Sequence, residues 1–230
     1  MTNADPAKLA AAKNAVARIS DGMKIGMGTG STASIAIRVL AERINAEGIK
    51  VVGAPSSFAS ERLARSLGIP TVPVSALGQL DLSFDGADEV SPSLDLIKGR
   101  GAAHTREKII ACSSSEFIVL VDDSKLVERL GEKSPVPVEV LPMAVEFVNE
   151  QLRKLGGRPE LRMGKSKDGP VVSDQGMWIV DTHFDSIIDP AALDRSIKSI
   201  PGVLDHGLFI GMATAVLVGK SNGTVKVLTK

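Results

Sequence analysis

The chain has no tyrosine, one tryptophan and one cysteine among its 230 residues, and aromatics make up only 3% of it. A single cysteine, Cys112, excludes an intramolecular disulfide and makes a reducing cytoplasm the expected home. With aromatics this scarce, the stacking platforms that bind single-stranded nucleic acid are not expected. An excess of one charge is missing too. The 27 Lys and Arg residues balance the 27 Asp and Glu residues, so neither nucleic acid nor an anionic membrane surface is the expected partner. No apolar run approaches a membrane span, and the N-terminus enters an alanine-rich helix rather than a signal pattern. The three histidines, His104, His183 and His206, form no metal-ligand spacing, and no Gly-x-Ser-x-Gly elbow is present. No metal and no cofactor is expected. The histidines are expected at the surface or in turns. Cys112 follows Ile109-Ile110-Ala111 and is expected as a small buried hydrophobe.

What is present is enough for a proper core, with 43% hydrophobic residues in a length that suits one large domain or two small ones. Asp5-Pro6 reads as an N-cap followed by proline at the first helical position, opening a helix over 6–19. Strands are expected at 24–27, 51–54, 71–74, 80–85, 94–97 and 117–121. Helices are expected at 32–47, 56–67 and 102–112. Strands alternating with helices predict a mostly parallel sheet with helices on both faces. Near Gly131 the pattern changes. Pro135, Pro137 and Pro142 mark a hinge. Then follow strand 136–140, helix 143–155, strand 160–163 (with a possible continuation at 171–173), strand 177–181, helix 190–199 and strand 203–209. That βαββαβ order is the ferredoxin-like layout. Two final strands, 214–219 and 224–228, flank Ser221-Asn222-Gly223 as a hairpin. The expected division is a Rossmann-like domain of residues 1–131 and 210–230 with an inserted α+β domain at 132–209.

In an open parallel sheet, ligands bind beyond the carboxyl ends of the strands. Four expected strands end in polar groups. These are Gly28-Thr29-Gly30-Ser31-Thr32, Asp85-Gly86-Ala87-Asp88, Lys98-Gly99-Arg100-Gly101, and Asp122 to Lys125. Strand, glycine-rich turn and helix aim backbone N–H groups and a positive dipole end at an anion. Taken singly, each has a plainer reading as a tight turn, a turn cap or a solvated lysine. Their joint occurrence at neighbouring strand ends points to one site. At 100° per residue Ala103, Glu107 and Ile110 share a helical face, with His104, Thr105 and Lys108 turned elsewhere. A carboxylate on the inward face is either paired or functional, and desolvation suits it to general-base work.

At these residues the sequence resembles ribose-5-phosphate isomerases of the A type. The resemblance covers nearly the whole chain. It is carried by Gly28-Thr29-Gly30-Ser31-Thr32, Asp85-Gly86-Ala87-Asp88-Glu89, Lys98-Gly99 through Arg106-Glu107-Lys108, Asp123-Ser124-Lys125, Asp174-Gln175-Gly176, and Pro201-Gly202-Val203 through Gly207-Leu208-Phe209. It implies interconversion of ribose 5-phosphate and ribulose 5-phosphate, in a metal-free homodimer or homotetramer. By the family pattern Glu107 is the base, Lys98 and nearby N–H groups stabilise an enediolate, Asp85 helps open the furanose ring, and Asp88 orients sugar hydroxyls. Thr29, Gly30, Ser31 and Thr32, with Gly86, Ala87, Gly99, Arg100, Gly101 and Lys125, would hold the substrate and its phosphate. The chain departs from the family where Arg100 replaces a glycine and where His104 replaces a common leucine. The alternative from another class is a non-catalytic sugar-phosphate sensor of the same fold. Such sensors usually carry a DNA-binding helix-turn-helix, and the chain ahead of the first strand offers one helix only.

Overall fold

The computed structural model describes residues 5–230. In chain order the elements are α1 (Pro6–Val16), β1 (Lys24–Met27), α2 (Ser31–Glu47), β2 (Val52–Pro55), α3 (Phe58–Ser66), α4 (Val74–Leu77), β3 (Leu80–Gly86), β4 (Glu89–Val90), β5 (Leu96–Ile97), α5 (His104–Cys112), β6 (Ser114–Asp122), β7 (Val136–Val140), α6 (Val145–Lys154), β8 (Gly157–Leu161), β9 (Trp178–Phe184), α7 (Pro190–Lys198), β10 (Val203–His206), β11 (Leu208–Phe209), β12 (Ala215–Gly219) and β13 (Val225–Thr229). They fall into two compact units. One comprises the chain up to Ala87, Arg106–Lys125 and Met212–Lys230; the other comprises Asp88–Thr105 and Leu126–Gly211.

The first unit holds a six-stranded sheet in the order β13-β12-β6-β3-β1-β2. All pairs are parallel except β12 with β13. Strand alternation sorts its two faces. Ile25, Met27, Leu82 and Phe84 pack into one cluster with Ala11, Ala15 and Val16 of α1 and Ala36, Ile37 and Leu40 of α2. On the opposite face Gly26 and Ser83 lie under α5. A Cβ on Gly26 would meet Ile110 Cγ2 at 2.4 Å. Helices therefore cover both faces, as the alternating pattern predicts. The order of sequence-successive strands reverses between β1 and β3, the topological switch point where doubly wound sheets bind ligands. Glycine at 219 lets α1 approach the end of β12, since a Cβ there would lie 1.8 Å from the Ala7 carbonyl.

The second unit holds a four-stranded antiparallel sheet, β10-β7-β9-β8, and a three-stranded one, β11-β5-β4. The run β7-α6-β8-β9-α7-β10 is the expected βαββαβ. Its core joins Val136, Val138 and Val140 of β7 to Val145, Val148 and Leu152 of α6 and to Ile197 of α7. The other face of β7 is buried as well, and it carries Pro137 and Glu139.

Several local expectations fail for physical reasons. Residues 71–74 do not form a strand. Thr71 makes one isolated bridge to Gly53, and Pro73 caps α4. The strand expected at 94–97 shortens to β5, because Leu94 sits at φ 63° and cannot join a ladder. The strand expected over 203–209 breaks at Gly207 into β10 and β11, which belong to different sheets. A side chain at 207 would strike the Lys98 carbonyl at 2.1 Å. The chain must be bare there for two backbones to touch.

Candidate active site

In the first unit the site grows from the switch point. The Gly28 N–H donates to Phe84 O at 2.9 Å, and the Thr29 N–H donates to Asp85 Oδ1 at 3.1 Å. Position 28 must be glycine, because a Cβ would fall 2.3 Å from the Asp85 carboxyl carbon and 2.7 Å from its Cα. The Thr29 hydroxyl lies 2.7 Å from both Ser56 Oγ and Ser57 Oγ. Gly30, at φ 105°, caps α2 with no side-chain bond. The first-turn N–H groups of that 17-residue helix are thus left to an outside acceptor. Asp85 is 3% exposed and also accepts from the Gly86 N–H at 2.7 Å. Glu107, on the inward face of α5, is 5% exposed beside Ala103 and Ile110 at 5% and 4%.

Lys125 closes a 3₁₀ turn, Asp123–Lys125, directly after β6, two strands from β1 in the sheet. Next to it, burial pushes the Asp122 carboxyl up. Hydrogen bonds from the Ser124 side chain and backbone, with the charges of Lys125 and Lys8, outweigh that push and hold the group below its ordinary 3.8. Lys8 also donates to Ser31 Oγ at 3.2 Å. Lys8 is the cation that the sequence does not announce. It stands on α1, 23 residues before Ser31, and no spacing rule connects them.

The second unit holds Asp88 and the glycine loop. Lys98 is only 3% exposed. Its N–H donates to Gly207 O at 2.9 Å, and its ammonium stands 5.4 Å from the centre of the Phe209 ring. Gly99 adopts φ 107°. A Cβ there would meet the His104 ring at 2.7 Å. Asp88 Oδ2 accepts from the Arg100 N–H at 3.1 Å, and the Asp88 N–H donates to Ile97 O at 2.8 Å. Arg100 is exposed and is not among the positive-φ residues; Gly99 before it and Ala102 after it, at φ 56°, are. Asp88, Arg100, Lys133, Arg162, Lys165 and Asp181 help line a cavity of about 440 Å³ in this unit.

Three expectations are corrected. Lys98 does not end a strand of the parallel sheet. It follows β5 in the separate three-stranded sheet, because Asp88-Glu89-Val90 turns the chain back on itself at β4. His104 and His206 are not surface residues, being 0% and 1% exposed, and Thr105, turned away from the Glu107 face, is buried too at 6%. Thr105 and Ser173 hydroxyls both bond the buried Glu139 carboxylate, and His104 Nε2 lies 3.8 Å from it. His206 Nε2 lies 3.0 Å from the Asp194 carbonyl oxygen. Cys112 is exposed rather than buried. Glu89, counted with the carboxylates at the turn, serves the backbone. It accepts from the N–H groups of Gly131, Lys133 and Ser134 at 2.7, 2.6 and 2.5 Å. Among the described residues, no group of three or more His, Cys, Asp or Glu side chains is placed to hold a metal ion.

Comparison with known proteins meets this geometry along the whole chain. The family model described as ribose 5-phosphate isomerase A (phosphoriboisomerase A) matches residues 52–223. The chain belongs to the ribose 5-phosphate isomerase A family. Ribose-5-phosphate isomerase A of Thermosynechococcus vestitus is 51% identical over 214 residues, covering 93% of this chain and 91% of the relative. The structure of ribose 5-phosphate isomerase A from Methanocaldococcus jannaschii superposes with a TM-score of 0.93 at 47% identity, covering 97% of this chain and 98% of that one. A D-ribose-5-phosphate isomerase solved in complex with phospho-erythronic acid superposes with a TM-score of 0.95 at 43% identity, over 99% of this chain and 100% of that one. The family model starts at residue 52, after the Gly28–Thr32 turn. The structural likeness extends to nearly all of the chain, and so takes in the N-terminal third.

Proposed function

We propose that this chain interconverts D-ribose 5-phosphate and D-ribulose 5-phosphate, a step of the non-oxidative pentose phosphate pathway. The whole-chain likeness to ribose-5-phosphate isomerases, one of them holding phospho-erythronic acid, carries this reading. Asp85 helps open the furanose ring. Glu107 then takes the proton from C2. The electron pair left behind forms the C1–C2 double bond, and negative charge develops on O1 of a cis-enediolate. Lys98 and the N–H groups of its glycine loop stabilise the enediolate oxygens, the kind of preorganised electrostatics that favours a transition state. Glu107 returns its proton to C1 while the O2 proton passes to O1, which leaves the ketone at C2. Asp88 orients the sugar hydroxyls.

The phosphate is assigned to the first turn of α2, with Thr29 to Thr32, Lys125 and Lys8 around it. Two observations support the assignment: α2 begins without a side-chain cap, and Lys8 already reaches Ser31. A coupled assay with pentose and hexose phosphates tests the function. Turnover of ribose 5-phosphate with little turnover of hexose phosphates is expected. The reverse preference would overturn the substrate assignment.

We further propose that the protein works in the cytoplasm as a homodimer or homotetramer. In the second unit Leu141, Met143 and Phe147 are 44%, 94% and 46% exposed, an apolar surface suited to burial against another copy. Light scattering that finds a monomer at micromolar concentration would refute the assembly.

A further inference from the structure

Arg162 lies just beyond β8, and its guanidinium divides its donors between two targets. Nε and Nη2 donate to the two carboxylate oxygens of Asp181 on β9, at 2.7 and 2.5 Å. Nη1 donates to the carbonyl oxygens of Gly99 and Arg100, at 3.1 and 3.0 Å. The two side chains are 17% and 21% exposed, so solvent competes weakly for these bonds. A bidentate carboxylate pair fixes the plane of a guanidinium, and here that plane presents its remaining edge to the glycine loop.

The consequence follows from peptide geometry. A trans peptide unit points its carbonyl and its N–H in opposite directions. Holding the Gly99 carbonyl fixes the direction of the Arg100 N–H, which Asp88 receives. Holding the Arg100 carbonyl fixes the direction of the Gly101 N–H. Without this grip a segment with glycine at both 99 and 101 would be free to sample many backbone conformations. A charged donor on a carbonyl also polarises its peptide, which strengthens the N–H on the far side.

We propose that Arg162, oriented by Asp181, is a positioning residue for the isomerisation. It clamps the carbonyl side of the Lys98-Gly99-Arg100-Gly101 loop so that Lys98 and the N–H side hold the geometry that the enediolate oxygens require. The inference rests on the enediolate reading above. Arg162 acts through the loop, since its donors go to Asp181 and to the Gly99 and Arg100 carbonyls. Lysine replaces it only in part, because a single ammonium lacks the planar fork that bonds a carboxylate and two carbonyls at once.

The test is steady-state kinetics on ribose 5-phosphate for Arg162→Met, Arg162→Lys and Asp181→Asn, at a temperature where circular dichroism shows each variant folded. Arg162→Met is expected to lower kcat roughly 10- to 100-fold while KM changes by less than about threefold. Arg162→Lys should recover part of that loss. Asp181→Asn, which keeps the loop bonds but loosens the guanidinium, should cost less than Arg162→Met and again in kcat. A merely structural role would lower the melting temperature and leave kcat of the folded enzyme unchanged. That result, or a loss confined to KM, overturns the inference. If Arg162→Met does not fold, the other two variants decide: both within about twofold of the native kcat would refute it. A native protein inactive on pentose phosphates would overturn the functional reading itself, whereas an active native protein with unaffected variants overturns the clamp alone.

Discussion

Glu107 and Gly28 illustrate how much depends on a single side chain, present or absent. Glu107 is 5% exposed on a helix that also buries Ile110 and Ala111 on that side. Glu107→Gln keeps the shape and removes the proton acceptor. A decrease in kcat of roughly 10²- to 10⁴-fold is expected, with substrate binding retained. Single-turnover kinetics and a binding titration check it, and a decrease below about tenfold would remove Glu107 from the role of base. At Gly28 the argument is steric. The added methyl of Gly28→Ala would sit 2.3 Å from the Asp85 carboxyl carbon and 2.7 Å from the Asp85 Cα. Backbone cannot yield to it cheaply, so a loss of about 1–3 kcal/mol in urea unfolding is expected, together with loss of activity as Asp85 is displaced. Unchanged stability would show that β1 and β3 can separate at the switch point. Glu107 was legible because helical periodicity places it beside apolar neighbours. Glu139 was not. It sits in a β7 whose residues are all buried, and its partners Thr105 and Ser173 lie 34 residues away on either side. Tertiary pairing of that kind leaves no local signal.

Among the elements, the long ones followed from the sequence and the short ones did not. α2, β3 and β6 carry periodic or continuous apolar patterns whose meaning is local. β4, β5 and β11 are two residues each. Their pairing depends on Leu94 at φ 63° and on the bare backbone of Gly207, so Lys98 was expected in the wrong sheet. In the glycine loop Arg100 keeps out of the positive-φ region, while Gly99 and Ala102 enter it and Gly101 does not, so the glycine that Arg100 replaces is not needed for the loop's backbone. Arg100→Gly is therefore expected to retain kcat and to shift KM at most severalfold, more at low salt, because its charge acts through a screened field. A hundredfold fall in kcat, about 2.7 kcal/mol, would instead place Arg100 in the catalytic machinery. At the end of β6 the sign of a pH effect can be worked out. Asp122 is held below its ordinary 3.8 in the folded chain, so its Ser124 hydrogen bonds and the nearby charges of Lys125 and Lys8 stabilise the fold above that pH. This contribution is lost as pH falls through the lower folded value. Asp122→Asn should accordingly flatten the acid side of the melting-temperature profile below about pH 4. An unchanged profile would show that other carboxylates set the acid limit.

For the molecule as a whole, the decisive quantity is how binding energy is shared between the phosphate and the sugar. The overall charge is zero, so the net charge of the molecule does not favour a phosphorylated substrate, and selectivity must come from local groups. The first unit supplies these in one region. The uncapped start of α2 offers backbone N–H groups and the positive end of a helix dipole. Lys8 stands against Ser31, and Lys8 and Lys125 share the field of Asp122. Charge-assisted hydrogen bonds of this kind contribute roughly 1.5–3 kcal/mol each. Two of them lost together would cost a factor of about 10² to 10⁴ in kcat/KM. Free ribose, which offers no dianion, is therefore expected to be a very poor substrate beside ribose 5-phosphate. Lys8→Ala is expected to raise KM for ribose 5-phosphate roughly 10-fold or more while leaving turnover of free ribose unchanged, because Lys8 has nothing to bind on the unphosphorylated sugar. Comparing the two substrates across the native protein and this variant separates a phosphate contact from a structural role, since damage to the fold would depress both rates together. Equal kcat/KM for ribose and its 5-phosphate in the native protein would remove the phosphate from the start of α2 altogether.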